Sequence, residues 1–205
     1  MTLDEGYIKY HSSWTEDAAP DPASAALLER WRRPLHSAGL IGYYKDPGVG
    51  YGNISMRSTG VGLFLISGTR TGHLKNTTDA HYALVTAYDI DNNTVASTGP
   101  VQASSEAMTH AAIYGLDGGI GAIVHGHSHA LWRSLLNRLP TTDAGVAYGT
   151  PQMADEFRRL YRDTAFRETG LAVMAGHEEG LLSFGTTLEE ATKKLLGLLD
   201  PAPIA

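Results

Sequence analysis

The sequence predicts one α/β domain built around a mixed or antiparallel β-sheet. Apolar segments of strand length alternate with segments of helical periodicity, and neither an internal repeat nor a linker interrupts them. Most of the strand-length segments are separated by turn sequences rather than by long crossovers, which favours antiparallel neighbours. A chain of 205 residues is long enough to bury a self-sufficient core and suits a single domain.

The first half of the chain begins with a polar segment, followed by a helix and strands. The stretch SSWTEDAAPDPAS at 12–24 is polar and carries prolines, so we expect residues 1–24 to extend a core of about 25–199. From about Ala25, apolar residues recur at helical spacing, and Pro34 is expected to end or kink that helix. In chain order, the pattern then predicts a glycine-rich passage at 39–52, strands at 62–67 and 81–90, and a turn at 91–93.

The second half alternates more regularly between helices and strands. The stretch ASSEAMTHAAIYGL predicts a helix with Ser104 or Ser105 as its N-cap. The stretch TLEEATKKLLGLL begins with Thr187 and has Glu190 three residues later, which is typical of a capping box. The predicted elements are a helix at 103–116, a strand at 121–127, helices at 128–136 and 153–162, strands at 170–175 and 180–184, and a helix at 187–199.

Composition excludes several classes of partner and cofactor. Sixteen Lys and Arg residues against 22 Asp and Glu residues give a net charge of −6, which disfavours nucleic acids and anionic membranes as partners. No apolar run approaches the roughly 18 residues that a membrane span needs, and the first residues lack the pattern of a secretory signal, so we expect a cytoplasmic protein. The absence of cysteine excludes disulfides and thiolate metal ligands.

Three histidines indicate a metal site. His125 and His127 are separated by one glycine on a predicted strand, where residues i and i+2 point to the same face. His177 follows an apolar predicted strand, where a third ligand would be placed, and three imidazoles with an open fourth position are typical of a catalytic metal. The alternative is a set of histidines that are exposed or satisfied in the core. Glu178 and Glu179 suit either acceptors that orient a ligand histidine or a solvated turn.

Other polar residues admit both a structural and a catalytic interpretation. Glu106, at the start of a predicted helix, suits a carboxylate stabilised by the helix dipole or a general acid/base. The preceding Ser104 and Ser105 could offer hydroxyl and N–H groups to an anion. The GNIS and SGTRTG segments at 52–55 and 67–72 suit ordinary turns or phosphate-binding loops.

Taken together and in this order, these motifs resemble the class II aldolase/adducin family. The resemblance runs from about residue 25 to residue 195, and the serine pair, glutamate, His-x-His and third histidine are specific as a set. The segments that carry it are GNIS (52–55), SGTRTG (67–72), ASSEAMTHAAIY (103–114), AIVHGHSHA (122–130), YGTP (148–151) and HEEGLLSFGTTLEEA (177–191).

The resemblance implies a class II aldolase-like fold, with a central mixed, mostly antiparallel sheet flanked by helices. It also implies a divalent metal, most often Zn²⁺ and alternatively Mn²⁺, Co²⁺ or Fe²⁺, a small-molecule substrate, and a homotetramer with sites at subunit boundaries. Carried over residue by residue, it assigns His125, His127 and His177 as metal ligands, Glu106 as acid/base, and Asn53, Ser104, Ser105, Thr71 and Gly72 as phosphate-binding residues, with Thr69 as an alternative to Thr71.

One departure from the family pattern concerns the third ligand. In the family this histidine directly precedes its glycine, whereas here Glu178 and Glu179 stand between His177 and Gly180. His177 is kept as the ligand, and either glutamate could replace or supplement it.

A second departure concerns the proton donor. Aldolases of the family carry a tyrosine that protonates the leaving carbonyl, but residues 115–147 contain no tyrosine. Tyr148 is assigned this role, with Tyr7 and Tyr10 as alternatives.

The predicted activity is that of an aldolase-type lyase. It would cleave or rearrange a small, phosphorylated keto-sugar or keto-acid through a metal-stabilised enediolate. The alternatives are a dehydratase, decarboxylase or epimerase on the same fold, an adducin-like assembly module without catalysis, or a sugar-phosphate sensor.

Overall fold

The computed structural model describes residues 6–46, 48–58 and 63–199, and ten strands form within these ranges. They are β1 (His11–Thr15), β2 (Gly42–Tyr44), β3 (Val49–Tyr51), β4 (Asn53–Arg57), β5 (Phe64–Ser67), β6 (Tyr82–Asp89), β7 (Thr94–Thr98), β8 (Ala122–His127), β9 (Leu171–Val173) and β10 (Gly180–Gly185).

Six α-helices accompany these strands in the same ranges. They are α1 (Pro22–Ser37), α2 (Ala107–Tyr114), α3 (His129–Leu135), α4 (Pro151–Asp163), α5 (Phe166–Thr169) and α6 (Leu188–Leu196). Across the described part of the chain, none of the helices combines the length and the apolar character that crossing a membrane requires.

Eight of the described strands form one sheet, in the order β1-β7-β6-β5-β4-β8-β10-β9. All neighbours in this sheet run antiparallel except β1 and β7, which are parallel. Strands β2 and β3 form a separate antiparallel hairpin. The sheet is therefore mixed and mostly antiparallel, and the predicted fold class is confirmed.

Helices pack on both faces of the sheet, as the central strand β8 shows. Successive residues of a strand point to opposite faces. Ile123 belongs to an apolar cluster with Phe157 of α4, whereas Val124 belongs to a second cluster with Leu28 of α1 and Leu195 of α6. All six residues of β8 are consequently buried, so its polar side chains must find their partners inside the protein.

Helix α1 differs from the prediction at both ends. It begins at Pro22 rather than near Ala25, because the Asp21 carboxylate accepts a hydrogen bond from Ser24 N at 2.9 Å and caps the helix. Pro34 lies inside the helix, which continues to Ser37. Leu35, the next residue, is fully buried, and its packing holds the last turn in place.

Part of the polar N-terminal segment that was expected to extend the core forms strand β1. Its five residues pair in parallel with β7 at the edge of the sheet, and Trp14 Nε1 donates a hydrogen bond to Gly99 O at 3.0 Å. Four of these five side chains are exposed. An exposed edge strand needs no alternation of apolar and polar residues, so the sequence HSSWT carries no strand pattern.

Candidate metal centre and adjoining cavity

Three histidine side chains meet at one end of β8. His125 and His127 point to the same face of the sheet, as the i, i+2 spacing predicts. His177 lies in the turn between β9 and β10, where Gly180 N donates to His177 O at 2.9 Å. Strand β10 pairs with β8 so that Gly180 lies opposite His127, which carries this turn to the two strand histidines.

The three imidazoles converge through the same ring nitrogen. The Nε2 atoms lie 3.0 Å apart for His125 and His127, 3.2 Å for His125 and His177, and 3.1 Å for His127 and His177. All three side chains are buried. In tetrahedral coordination with metal–nitrogen bonds of about 2.0–2.1 Å, the ligand nitrogens lie roughly 3.3 Å apart. The cluster therefore has the dimensions of a three-histidine metal site.

The protonation of two of these rings follows from their outer nitrogens. His125 Nδ1 lies 3.1 Å from Leu181 O, and because a carbonyl oxygen only accepts, Nδ1 carries the hydrogen. His127 Nδ1 lies 3.2 Å from the Tyr44 hydroxyl, which itself donates to Glu179 Oε2 at 2.5 Å. Nε2 of each ring is thus left with a lone pair directed at the other histidines, an arrangement that a divalent cation stabilises.

Burial also favours the neutral form of the histidines. Desolvation lowers the pKa of His125 from 6.5 to about 4 and lowers the pKa values of His127 and His177 well below 6.5. Metal ligation requires neutral imidazole, so these three groups are held in the form that binds a metal.

Glu106 is the acidic group nearest the histidines. Its Oε1 lies 3.6 Å from His177 Nε2, the side chain is fully buried, and within the described ranges neither carboxylate oxygen has a hydrogen-bond partner. Burial raises the pKa of the Glu106 carboxyl from 4.5 to about 7. A carboxyl with this pKa takes up and releases protons near neutral pH, as a general acid/base must.

The turn that carries Glu106 is not helical, contrary to the prediction. Helix α2 begins at Ala107 and Glu106 is its N-cap, so neither Ser104 nor Ser105 caps the helix. The reason is a non-local contact: Ser104 N donates to Ser67 O at 3.1 Å, which ties the turn to strand β5. The Tyr10 hydroxyl also donates to Ser104 O, at 2.9 Å.

A cavity of about 300 Å³ adjoins this cluster. It is not lined by the three histidines or by Glu106, but Asn53 lies directly opposite His125 in the pairing of β4 with β8. The Oδ1 atom of Asn53 is buried and has no hydrogen-bond partner among the described residues. The phosphate-binding residues expected from the sequence all line the cavity, namely Asn53, Thr71, Gly72, Ser104 and Ser105, as does Thr69.

The sequence suggested turns for two of these segments, and the structure has turn residues in 67–72 but a strand in place of the other. Asn53 and Ser55 belong to the buried strand β4, and Ser55 Oγ lies 2.7 Å from His110 Nδ1. In the 67–72 segment, the Thr71 hydroxyl donates to Gly68 O at 2.8 Å. Arg32 Nη2 donates to Thr71 O at 3.1 Å, a contact from the distant helix α1 that no local motif indicates.

Gly72 brings this segment into backbone contact with the β2–β3 hairpin, and a side chain there is expected to destabilise the protein. A Cβ atom at Gly72 would lie 2.2 Å from Gly42 O and 3.0 Å from Gly50 Cα. We expect Gly72→Ala to lower the free energy of unfolding by about 1–3 kcal/mol, because rigid backbone must shift. Denaturant unfolding measures the change.

The matched control is Gly118→Ala. Among the described residues, no atom lies within 4 Å of a Cβ at Gly118. Equal stability of the two alanine variants would contradict the prediction, because it would show that the β2–β3 hairpin shifts away from a Cβ at Gly72 without an energetic cost.

The candidate Tyr148 and two further polar residues lie around the three histidines, outside the cluster of Nε2 atoms. The Tyr148 ring packs on His177 with 4.4 Å between centroids, and its hydroxyl exchanges hydrogen bonds with the backbone N and O of Tyr7 at 3.1 and 3.2 Å. Lys9 Nζ lies 3.7 Å from the centroid of the same ring. His129 Nδ1 lies 3.8 Å from Glu178 and 3.6 Å from Glu179, outside the metal-ligating cluster.

Tyr44, whose hydroxyl lies beside His127 Nδ1, was not identified from the sequence. It belongs to the hairpin in the glycine-rich passage 39–52, and neither its spacing nor its neighbours mark it as a site residue. Its position beside His127 depends on how the hairpin packs against the end of β8.

Comparison with known proteins places this fold and site in context. Residues 48–200 match the family described as Class II Aldolase and Adducin N-terminal domain. None of the curated proteins matches the chain at a significant level.

Solved structures resemble the chain over most of its length at low identity. The L-fuculose-1-phosphate aldolase of Thermus thermophilus has a TM-score of 0.61 and 19% identity, covering 85% of this chain and 88% of its own. The sugar-phosphate aldolase of Thermotoga maritima has a TM-score of 0.62 and 16% identity, covering 86% and 90%. YgbL of Klebsiella pneumoniae, under consideration as an aldolase, epimerase or decarboxylase, has a TM-score of 0.62 and 21% identity, covering 86% and 84%.

Proposed function

The chain belongs to the family of class II aldolase and adducin N-terminal domains, and on that premise we propose that it is a divalent-metal-dependent lyase of the aldolase type. Its substrate is a small, phosphorylated keto-sugar or keto-acid. The observation that carries the proposal is the convergence of three buried Nε2 atoms beside a buried carboxyl with a pKa of about 7. A protein that used this fold only for assembly would not require three converging histidines beside a buried carboxyl with a raised pKa.

His125, His127 and His177 are the residues that would hold the metal, with Zn²⁺ as the preferred ion. Zinc suits three neutral imidazoles that leave one coordination position for another ligand. When bound there, the ion would polarise a substrate carbonyl and stabilise the negative charge that develops beside it as a C–C bond breaks.

Glu106 is proposed to move the proton. Its Oε1 lies 3.6 Å from Nε2 of His177, so the carboxyl is adjacent to a residue that would hold the metal. With a pKa of about 7, Glu106 can give a proton to the enediolate carbon after the C–C bond breaks and can take the same proton from that carbon in the reverse, condensation direction. Burial of both oxygens excludes water from competing for that proton.

Tyr148 is proposed to exchange a proton with the oxygen of the leaving carbonyl, accepting it as the hydroxyl becomes a carbonyl in cleavage and donating it in the reverse, condensation direction. Its ring packs on His177, so the residue lies within the site. Its hydroxyl is bound to the backbone of Tyr7, and to protonate a substrate it must exchange that contact for one with the leaving group.

The cavity beside the histidines is proposed to bind the phosphate. Its lining includes polar groups of Ser104, Ser105 and the Asn53 amide together with the Thr71–Gly72 segment. Phosphate binding there would place the reacting carbons near His125, because Asn53 and His125 are paired on adjacent strands.

Ser105→Ala tests the phosphate assignment. We expect KM for a phosphorylated substrate to rise about 10- to 150-fold with a small change in kcat, because a hydrogen bond to a charged group contributes roughly 1.5–3 kcal/mol. Initial-rate kinetics measure both parameters, and Ser134→Ala in the exposed part of α3 is the control. An unchanged KM for Ser105→Ala, or a best substrate without phosphate, would remove the cavity from the proposal.

Metal content and product analysis test the function as a whole. Protein purified without chelator or an affinity-tag metal is analysed for metal per chain and then incubated with sugar phosphates and keto-acid phosphates. About one Zn²⁺ per chain together with cleavage to two carbonyl products supports the lyase. Failure to bind any divalent metal after reconstitution would contradict it.

A further inference from the structure

Tyr44 lies between a proposed metal ligand and an acidic side chain. Its hydroxyl oxygen is 3.2 Å from His127 Nδ1 and 2.5 Å from Glu179 Oε2. The β2–β3 hairpin also packs Tyr51 against the His127 ring, with 5.4 Å between centroids and 28° between planes. The His127 ring is thus contacted on its face and at its outer nitrogen by the same hairpin.

The direction of these hydrogen bonds follows from counting hydrogens. An ionised carboxylate only accepts, so the single hydroxyl hydrogen of Tyr44 goes to Glu179. The Tyr44 oxygen must therefore accept from His127 Nδ1–H. The chain from Glu179 through Tyr44 specifies the His127 tautomer whose Nε2 lone pair faces the other two histidines.

Glu179 adopts a conformation that a non-glycine residue rarely takes. Its φ is +69°, in the left-handed region, which is strained for a side chain of this kind. The residue is anchored through its backbone, since Ser128 N donates to Glu179 O at 3.0 Å. Glycine would fit this position without strain, so the glutamate side chain is retained at an energetic cost.

We propose that Tyr44 and Glu179 are positioning residues for the metal ligand His127, holding its ring and tautomer so that Nε2 faces His125 and His177. The inference rests on the proposed function, because it requires a cation at the histidine cluster. Glu178 is not given this role, because its side chain is 59% exposed whereas that of Glu179 is 27% exposed. The two adjacent glutamates are therefore assigned different roles.

Zinc affinity, measured by competition with a chromophoric chelator, tests the proposal without reference to activity. We expect Glu179→Gln and Tyr44→Phe each to raise the Kd for Zn²⁺ about 10- to 100-fold, the usual effect of losing a partner that orients a ligand histidine. Glu178→Gln is the matched control and should leave Kd within about threefold of the wild-type value. Because one hydrogen-bond chain is involved, the Tyr44→Phe/Glu179→Gln double variant should bind no more weakly than the weaker single variant.

Glu179→Gly separates positioning from structure. Removing the strained side chain at φ +69° should maintain or raise the free energy of unfolding of the metal-free protein, while the Kd for Zn²⁺ still rises. Wild-type zinc affinity in Glu179→Gly, or an equal loss in Glu178→Gln, would overturn the proposal while leaving the proposed function intact. A wild-type protein that binds no Zn²⁺ would overturn both.

Discussion

Glu106→Gln is expected to lower kcat by about 10²- to 10⁴-fold and to leave zinc content and stability close to those of the wild-type protein. Glutamine keeps the shape of the side chain but cannot carry the proton. Among the described residues, neither Glu106 oxygen has a hydrogen-bond partner of good geometry, and the nearby Thr109 hydroxyl, which lowers the pKa of Glu106, can also contact an amide. Burial raises the pKa of Glu106 to about 7, and the amide also removes the cost of ionising a buried group.

Steady-state kinetics on the zinc-loaded variant measure the effect. Glu178→Gln, which removes an exposed carboxylate near the same histidines, is the control and should retain activity. Retention of kcat within tenfold in Glu106→Gln would remove this residue from the mechanism.

His125→Ala is expected to abolish stoichiometric zinc binding and, with it, turnover. His125 is fully buried on the central strand, and its Nε2 lies 3.0 and 3.2 Å from those of the other two histidines. Two remaining imidazoles form an incomplete set of ligands, and no carboxylate belongs to the metal-ligating cluster in the described residues.

Elemental analysis and chelator competition measure the loss of zinc. The control is His73→Ala, an exposed histidine whose ring packs on Tyr43 with 5.7 Å between centroids. Thermal unfolding of the metal-free proteins shows whether His125→Ala remains folded. Unchanged zinc content in a folded His125→Ala variant would exclude the assigned site.

Local patterns were sufficient to predict the parts of the site that lie on one strand or at its end. The His-x-His spacing predicts a shared face because the period of a strand is two, and His125 and His127 do share one. The apolar stretch before His177 predicts a strand end, and the turn after β9 brings this histidine to the cluster. The alternation of strands with helices was likewise sufficient for the fold class.

Non-local contacts account for what the sequence did not indicate. Ser104 and Ser105 have good helix-capping chemistry, but the backbone bond from Ser104 to Ser67 outweighs that local preference. The sequence of strand β4 contains polar residues although the strand is buried. Ser55 is tolerated there because its hydroxyl hydrogen-bonds to the buried side chains of His110 and Tyr114 rather than to water. The hydrophobic periodicity of a sequence carries no information about hydrogen bonds between residues that are distant along the chain.

The contact between Tyr44 and Glu179 was beyond prediction for the same reason. The two residues are 135 positions apart in the sequence. Their meeting depends on the placement of a short hairpin against the turn after β9, and neither segment carries a pattern that refers to the other.

The register between β4 and β8 has a consequence for how this protein could change its substrate. Asn53 on one strand and His125 on the next are direct partners, and adjacent strands lie about 4.7–4.9 Å apart. On the proposed function, Asn53 binds the phosphate end of the substrate and His125 lies at the reacting end. The distance between these two ends is therefore fixed by the backbone hydrogen bonds that pair β4 with β8. Substitutions in the cavity can alter which anchor is accepted, but the spacing between anchor and reacting carbon changes only if the strands slip, which would turn every side chain of β4 to the opposite face. Substitutions can therefore change the anchoring group that this protein accepts more readily than they can change the distance between that group and the reacting carbon.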